Sequence, residues 1–123
     1  EKVAGDYQDA MSGRSYDEFY NHAIPRLAPI IQTYNLPVNS LNPLMALNLE
    51  LTRGKGPDAF DQSLVNFNSI GQIPGGNDLI TALKGHDMYS FFQILQNDFG
   101  IDKKSQNRIR NTIKDLSLTT QFV

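Results

Sequence analysis

Leu44-Met45-Ala46-Leu47-Asn48-Leu49-Glu50-Leu51-Thr52 is where helix and strand compete most closely in this chain. Leu47, Leu49 and Leu51 alternate with Asn48 and Glu50, which is the two-residue period of a half-buried strand. Asn42-Pro43 just before it reads differently, as a helix cap followed by a first helical position. The alternation favours a short strand. Leu64-Val65-Asn66-Phe67 then offers itself either as the second strand of a hairpin or as part of a helix. The fold class that follows is mainly α, a compact helical domain with a short β-hairpin in the middle; α+β is the alternative.

Outward from this stretch the helical signals are plainer. Upstream, Ser15 followed by Glu18 is a capping box, in which the hydroxyl takes an orphan amide and the carboxylate reaches back to the cap. Tyr16, Phe19, Tyr20, Ala23, Ile24, Leu27, Ile30, Ile31 and Tyr34 then recur at steps of three and four, the spacing of one helix face. Pro25 and Pro29 lie within it and predict a kink or break near Ile24, because each removes an amide and crowds the preceding turn. Before it, Val3, Tyr7, Ala10 and Met11 suggest a short helix over 1–11, ended by Gly13. Residues 35–42, with Pro37 among them, read as a loop.

Downstream, Arg53-Gly54-Lys55-Gly56-Pro57 is a turn region, and Phe60, Leu64, Phe67 and Ile70 fit helical spacing. Ile73-Pro74-Gly75-Gly76 reads as a tight turn with glycine supplying a positive φ. Asn77 is then a suitable cap for a helix carrying Leu79, Ile80 and Leu83. Gly85 interrupts, and Asp87 can cap a helix with Met88, Phe91, Phe92 and Leu95. Gly100 fits the residue just past that helix's end. Asp102 caps a last helix with Ile109, Ile113 and Leu116 as its stripe, and 116–123 is a docked strand or a frayed tail.

Composition narrows the function classes. A chain of 123 residues is one domain, 1–123, by size. The net charge is −2, with both signs spread along the chain, so no global field draws in nucleic acid or an anionic membrane. From Asp102 to Asp115 five basic residues face two acidic ones, a local +3 that leaves −5 elsewhere. There are no cysteines, which removes disulfides, thiolate nucleophiles and cysteine-based zinc sites. No apolar run is long enough to span a bilayer. The chain starts at Glu1 without methionine, which fits a mature secreted chain or a trimmed one and leaves the compartment open.

No local motif carries a catalytic, metal or cofactor assignment. His22 stands four residues after Glu18, the spacing of a surface pair on one helix face. His86 stands beside Asp87 at a helix start, and neither histidine has a second ligand at metal spacing. Gly54-Lys55-Gly56-Pro57-Asp58-Ala59 matches G-x-G-x-x-A formally, but Pro57 and the lack of a βαβ context make it a solvated loop. Asp17/Glu18 and Asp58/Asp61 read as exposed helix starts. The cations Lys103, Lys104, Arg108, Arg110 and Lys114 fall on several sides of the last helix's stripe, where a phosphate-binding face would gather them on one. They read as a solvated face, with positive charge favourable toward the helix C-terminus. Two aromatic clusters, Tyr16/Phe19/Tyr20 and Tyr89/Phe91/Phe92, fill a core or line an apolar cavity.

Two stretches resemble known families. Leu27-Ala28-Pro29, Leu36-Pro37, Leu41-Asn42-Pro43-Leu44 and Asn66-Phe67 with Gly71 make 23–73 resemble the insect takeout and juvenile-hormone-binding family. That resemblance implies a long helix in a curved sheet around an apolar tunnel, and a terpenoid or lipid ligand. It lacks the family's N-terminal cysteine pair and covers under half the chain. Leu95, Asp98-Phe99-Gly100-Ile101, Lys104, Arg108-Ile109 and Ile113-Lys114-Asp115-Leu116 make 95–116 similar to the end of a SAM domain. This likeness implies an interaction module docking through the start of its last helix, with Lys103 and Lys104 facing an acidic partner. The first half of such a domain is not recognisable upstream.

The expectation is a non-enzymatic binding protein that carries a small hydrophobic or lipid-like ligand, lined by Ile24, Leu27, Ile31, Leu47, Leu49 and Leu51. The alternative is a helical protein–protein interaction module using Lys103 and Lys104, with self-association open to it. An enzyme with a site assembled by folding is third. No metal, cofactor or nucleic-acid partner is expected.

Overall fold

The computed structural model describes residues 16–120, and the side chains of 21–117. Among these residues six α-helices follow one another: α1 (Tyr16–Tyr34), α2 (Leu41–Leu51), α3 (Pro57–Asn66), α4 (Gly76–Lys84), α5 (Met88–Asp98) and α6 (Lys103–Thr120). Short 3₁₀ turns at Val38–Ser40 and Phe67–Gln72 lead into α2 and out of α3. The domain is mainly α, and no strand occurs among the described residues. The expected helix over 1–11, Gly13 and the capping Ser15 lie outside them, as do the side chains of Tyr16, Phe19 and Tyr20.

The stretch at 44–52 corrects the strand reading. It belongs to α2, which is buried from Pro43 through Leu49 on every side of the helix. The alternation misleads because its two polar residues do not face water. Asn48 is completely buried. Its Nδ2 donates to the Leu44 carbonyl at 2.7 Å, and its Oδ1 accepts from the Ser63 hydroxyl of α3. Glu50 accepts from both Nε and Nη2 of Arg108 in α6. A polar residue paired inside the fold costs little to bury. Leucine on both sides of α2 therefore marks an enclosed helix rather than a pleated face. The helix opens at Leu41, one residue before the Asn42-Pro43 signal, so Pro43 falls in the first turn, where its missing amide has no intrahelical partner.

The hairpin partner is helical too. Phe60, Leu64, Phe67 and Ile70 are all buried along α3 and the 3₁₀ turn after it. The steps of three from Leu64 onward suit the tighter helix, whose side chains at i and i+3 lie over one another. The loop expected at 35–42 shrinks to 35–37. Asn35 takes a left-handed φ of 53°, and the Leu36 amide returns to the Ile31 carbonyl at 2.9 Å, closing α1 with a Schellman cap.

Pro25 and Pro29 do not break α1, which runs through both. Both are exposed while Ala23, Leu27 and Ile30 are buried, so the missing amides fall on the solvent side. Arg26 Nη1 adds a donor at 3.0 Å to the neighbouring His22 carbonyl. The helix stays continuous because water can satisfy what the prolines remove.

The 73–76 turn is as expected, and tighter than it looks. The Gly76 amide donates to the Ile73 carbonyl at 3.0 Å, and Gly75 has φ +80°. With Pro74 ahead of Gly75 this is the residue pattern of a type II turn. A Cβ on Gly76 would run into the Ile70 carbonyl oxygen. Gly75 rather than Asn77 therefore caps α4, and Asn77 sits inside the first turn. Buried residues of all six helices join one cluster, with Leu27, Leu47, Phe60, Leu79, Phe91 and Ile109 fully enclosed. The last helix continues to Thr120, which settles 116–120 as helix, while 121–123 lie outside the described residues.

Candidate binding surfaces

The corner between α5 and α6 is built tightly. Gly100 sits past the end of α5 with φ +69°, and the Ile101 amide reaches the Leu95 carbonyl at 2.9 Å. Ile101 is buried there. Gln106 holds the turn by donating to the Ile101 carbonyl at 2.9 Å and to Gln96 Oε1 at 3.2 Å. Asp102 caps α6, accepting from the Ser105 amide at 2.8 Å. The bonds from the Ser105 amide and hydroxyl hold the Asp102 carboxyl below its ordinary range, and the charges of Arg108 and Lys104 act in the same direction.

The basic residues of α6 divide by task. Arg108 spends its guanidinium on Glu50, with Nε to Oε1 at 3.0 Å and Nη2 to Oε2 at 2.7 Å, and a further bond to the Ser105 hydroxyl at 3.0 Å. Arg110 lies 3.8 Å over the Phe92 ring centroid. Lys103 and Lys104 are exposed and occupy the first two positions of the helix. No basic residue stands in the last turn, which corrects the expectation of charge placed favourably at the C-terminus. Lys103 and Lys104 face the opposite situation, since the first turn carries the positive end of the helix dipole.

The six apolar candidates take different places. Leu27 and Leu47 are fully buried and Leu49 nearly so, within the common core. Ile31 packs against that core, Ile24 is half-buried, and Leu51 at the end of α2 is 39% exposed. A depression of about 580 Å³ lies elsewhere, between α4 and α5, and none of the six lines it. Of the second aromatic cluster, Phe91 and Phe92 are buried edge to face at 5.2 Å, while Tyr89 is 76% exposed.

The histidines acquire partners that their sequence neighbours do not announce. His22 Nε2 meets Asp61 Oδ2 of α3 at 2.6 Å, both side chains partly buried. The Glu18 side chain of the expected pair lies outside the described residues. His86 holds the left-handed position that closes α4, with φ +54°, and the Asp87 amide returns to the Ala82 carbonyl at 2.9 Å. Its ring stands 3.1 Å from Asn39 Nδ2. The two histidines thus serve two separate joints, α1 to α3 and the α4–α5 turn to the turn before α2. Only their positions 39 and 47 residues from those partners separate them from legible pairs.

Among the described residues no three of His, Asp and Glu gather as a metal site, and no helix is long and apolar enough to cross a membrane. No protein-family model, no curated protein and no solved structure matches this chain.

Proposed function

We propose that the chain is a non-enzymatic interaction module that docks an acidic partner surface through Lys103 and Lys104 at the α5–α6 corner. The observation that carries the reading is the pair's position. Two cations at the first two places of a helix work against its dipole, and both are exposed, with Lys104 in electrostatic reach of the Asp102 cap. Arg108 and Arg110 on the same helix are both used internally. Residues that oppose the stability of their own element fit a role outside it. The likeness of 95–116 to the end of a SAM domain agrees with this reading.

The test is sedimentation velocity over a range of concentrations together with quantitative affinity capture, each run on the parent chain and on Lys103→Glu/Lys104→Glu. A complex that forms with the parent and is lost on charge reversal, with no loss of thermal stability, is the expected result. A monomer at every concentration with identical captured proteins overturns it. The second reading, a carrier holding a small apolar ligand among Ile24, Leu27, Ile31, Leu47, Leu49 and Leu51, predicts a co-purifying apolar mass in native mass spectrometry. It is favoured by the meeting of α1 and α2 in one apolar cluster.

A further inference from the structure

We infer that the depression between α4 and α5 is a docking groove for a lysine- or arginine-bearing segment of a partner protein. This rests on the reading of the chain as a docking module, on a different face from Lys103 and Lys104. The groove has a volume of about 580 Å³ and an apolar floor in Ala82 and Ile94. Its polar lining is Asp78 and Thr81 from α4, and Asp87, Ser90 and Gln93 from α5 and its cap. There is no cation in that lining.

Hydrogen-bond bookkeeping sets the chemistry. The Thr81 hydroxyl donates to the Asn77 carbonyl at 3.0 Å, and the Ser90 hydroxyl donates to Asp87 Oδ2 at 2.7 Å. Both hydroxyl protons are therefore committed, and the oxygens offer only lone pairs. Asp87 also accepts from the Ser90 amide at 3.0 Å, and these two bonds hold its carboxyl below the ordinary range, so it is charged at neutral pH. Asp78 and Asp87 supply two negative charges, and Gln93 alone can act as donor or acceptor. An anion or a neutral donor-poor ligand has almost nothing to bond here. A cation on an aliphatic stem matches both parts, with methylenes on Ala82 and Ile94 and the charged head among acceptors. The groove is an open trough along two helices rather than an enclosed hole, which suits a side chain presented by a peptide backbone running over it.

The experiment titrates the full chain, by backbone amide NMR, with a ten-residue peptide of alternating lysine and alanine, and separately with spermidine. Shifts at Thr81, Gly85, Ser90 and Gln93 are expected with the peptide. Asp78→Asn/Asp87→Asn removes both charges while asparagine keeps the α5 cap, so the fold is retained, and the Kd weakens at least about tenfold. Asp58→Asn, on the exposed surface of α3, leaves the Kd unchanged. No shift at the groove, equal weakening by Asp58→Asn, or spermidine binding there as tightly as the peptide each overturns the assignment. Lys103→Glu/Lys104→Glu leaves peptide binding intact, so failure here and failure at the α5–α6 corner are told apart.

Discussion

Helices α2 and α6 pack against each other and obey opposite rules. From Pro43 to Leu49 of α2 the neighbours on every side are protein, and Asn48 and Glu50 tolerate their burial through assigned partners, Ser63 and Arg108. In α6 one stripe, Ile109, Ile113 and Leu116, packs on the core, Gln106 and Thr112 are buried on bonds to nearby carbonyls, and most other positions meet water. Polarity in a sequence is therefore not exposure. Asn48 is more deeply buried than Ile113, and a pattern of polar and apolar letters reports faces only where the polar letters are solvated.

Emptying a position in α2 should have the largest effect. Leu47→Ala removes a fully buried side chain from an enclosed helix and is expected to cost about 2–5 kcal/mol, read from urea unfolding. Asn48→Leu asks whether the paired amide matters beyond its volume. It strands the Ser63 hydroxyl and is expected to cost about 1–3 kcal/mol, with Ser63→Ala in the same background restoring part of it.

The bond between the two helices is tested by a double-mutant cycle on Glu50→Ala and Arg108→Ala. Both side chains are partly buried and the geometry is two-pronged, so a coupling of about 1–3 kcal/mol is expected; additivity would mean that the pair only decorates the interface.

Acidification probes the starts of α5 and α6. The Asp102 and Asp87 carboxyls are held below their ordinary value of 3.8 in the folded chain, so folding favours their charged forms. Their contribution is present above that value and is lost as pH falls through the lower folded one. Thermal stability should therefore drop below about pH 3.8, and Asp102→Asn should flatten part of that drop in a pH series of melting curves. The smallest effect belongs to Lys103→Glu/Lys104→Glu, which should alter stability by no more than about 0.5 kcal/mol per site, in the stabilising direction, because glutamate suits the first turn.

Legibility followed the same division. The stripes of α1, α4, α5 and α6, the caps at Asp87 and Asp102, the glycine at 100 and the Pro74-Gly75 turn were all readable, because each is a local bargain between neighbours within about five positions. The enclosed helix α2 was legible only in its Asn42-Pro43 start, since Ser63 and Arg108, which partner Asn48 and Glu50, stand 15 and 58 residues from the groups they bond. Pro25 and Pro29 misled for a related reason: their cost depends on which side of α1 meets water. At the candidate surfaces, Lys103 and Lys104 could be named from the chain, whereas the His22–Asp61 contact exists only once distant segments meet, and the α4–α5 groove only once two neighbouring helices pack.

The exposed connection at Arg53-Gly54-Lys55, between α2 and α3, has a consequence for the integrity of the whole molecule. A trypsin-like protease can cut there without touching the core, and neither piece could then fold by itself. The N-terminal piece would carry α2 with no wall around it, and the C-terminal piece a wall with nothing to enclose. The two halves should stay together after cleavage and reassemble from a mixture, behaving as a complementing pair.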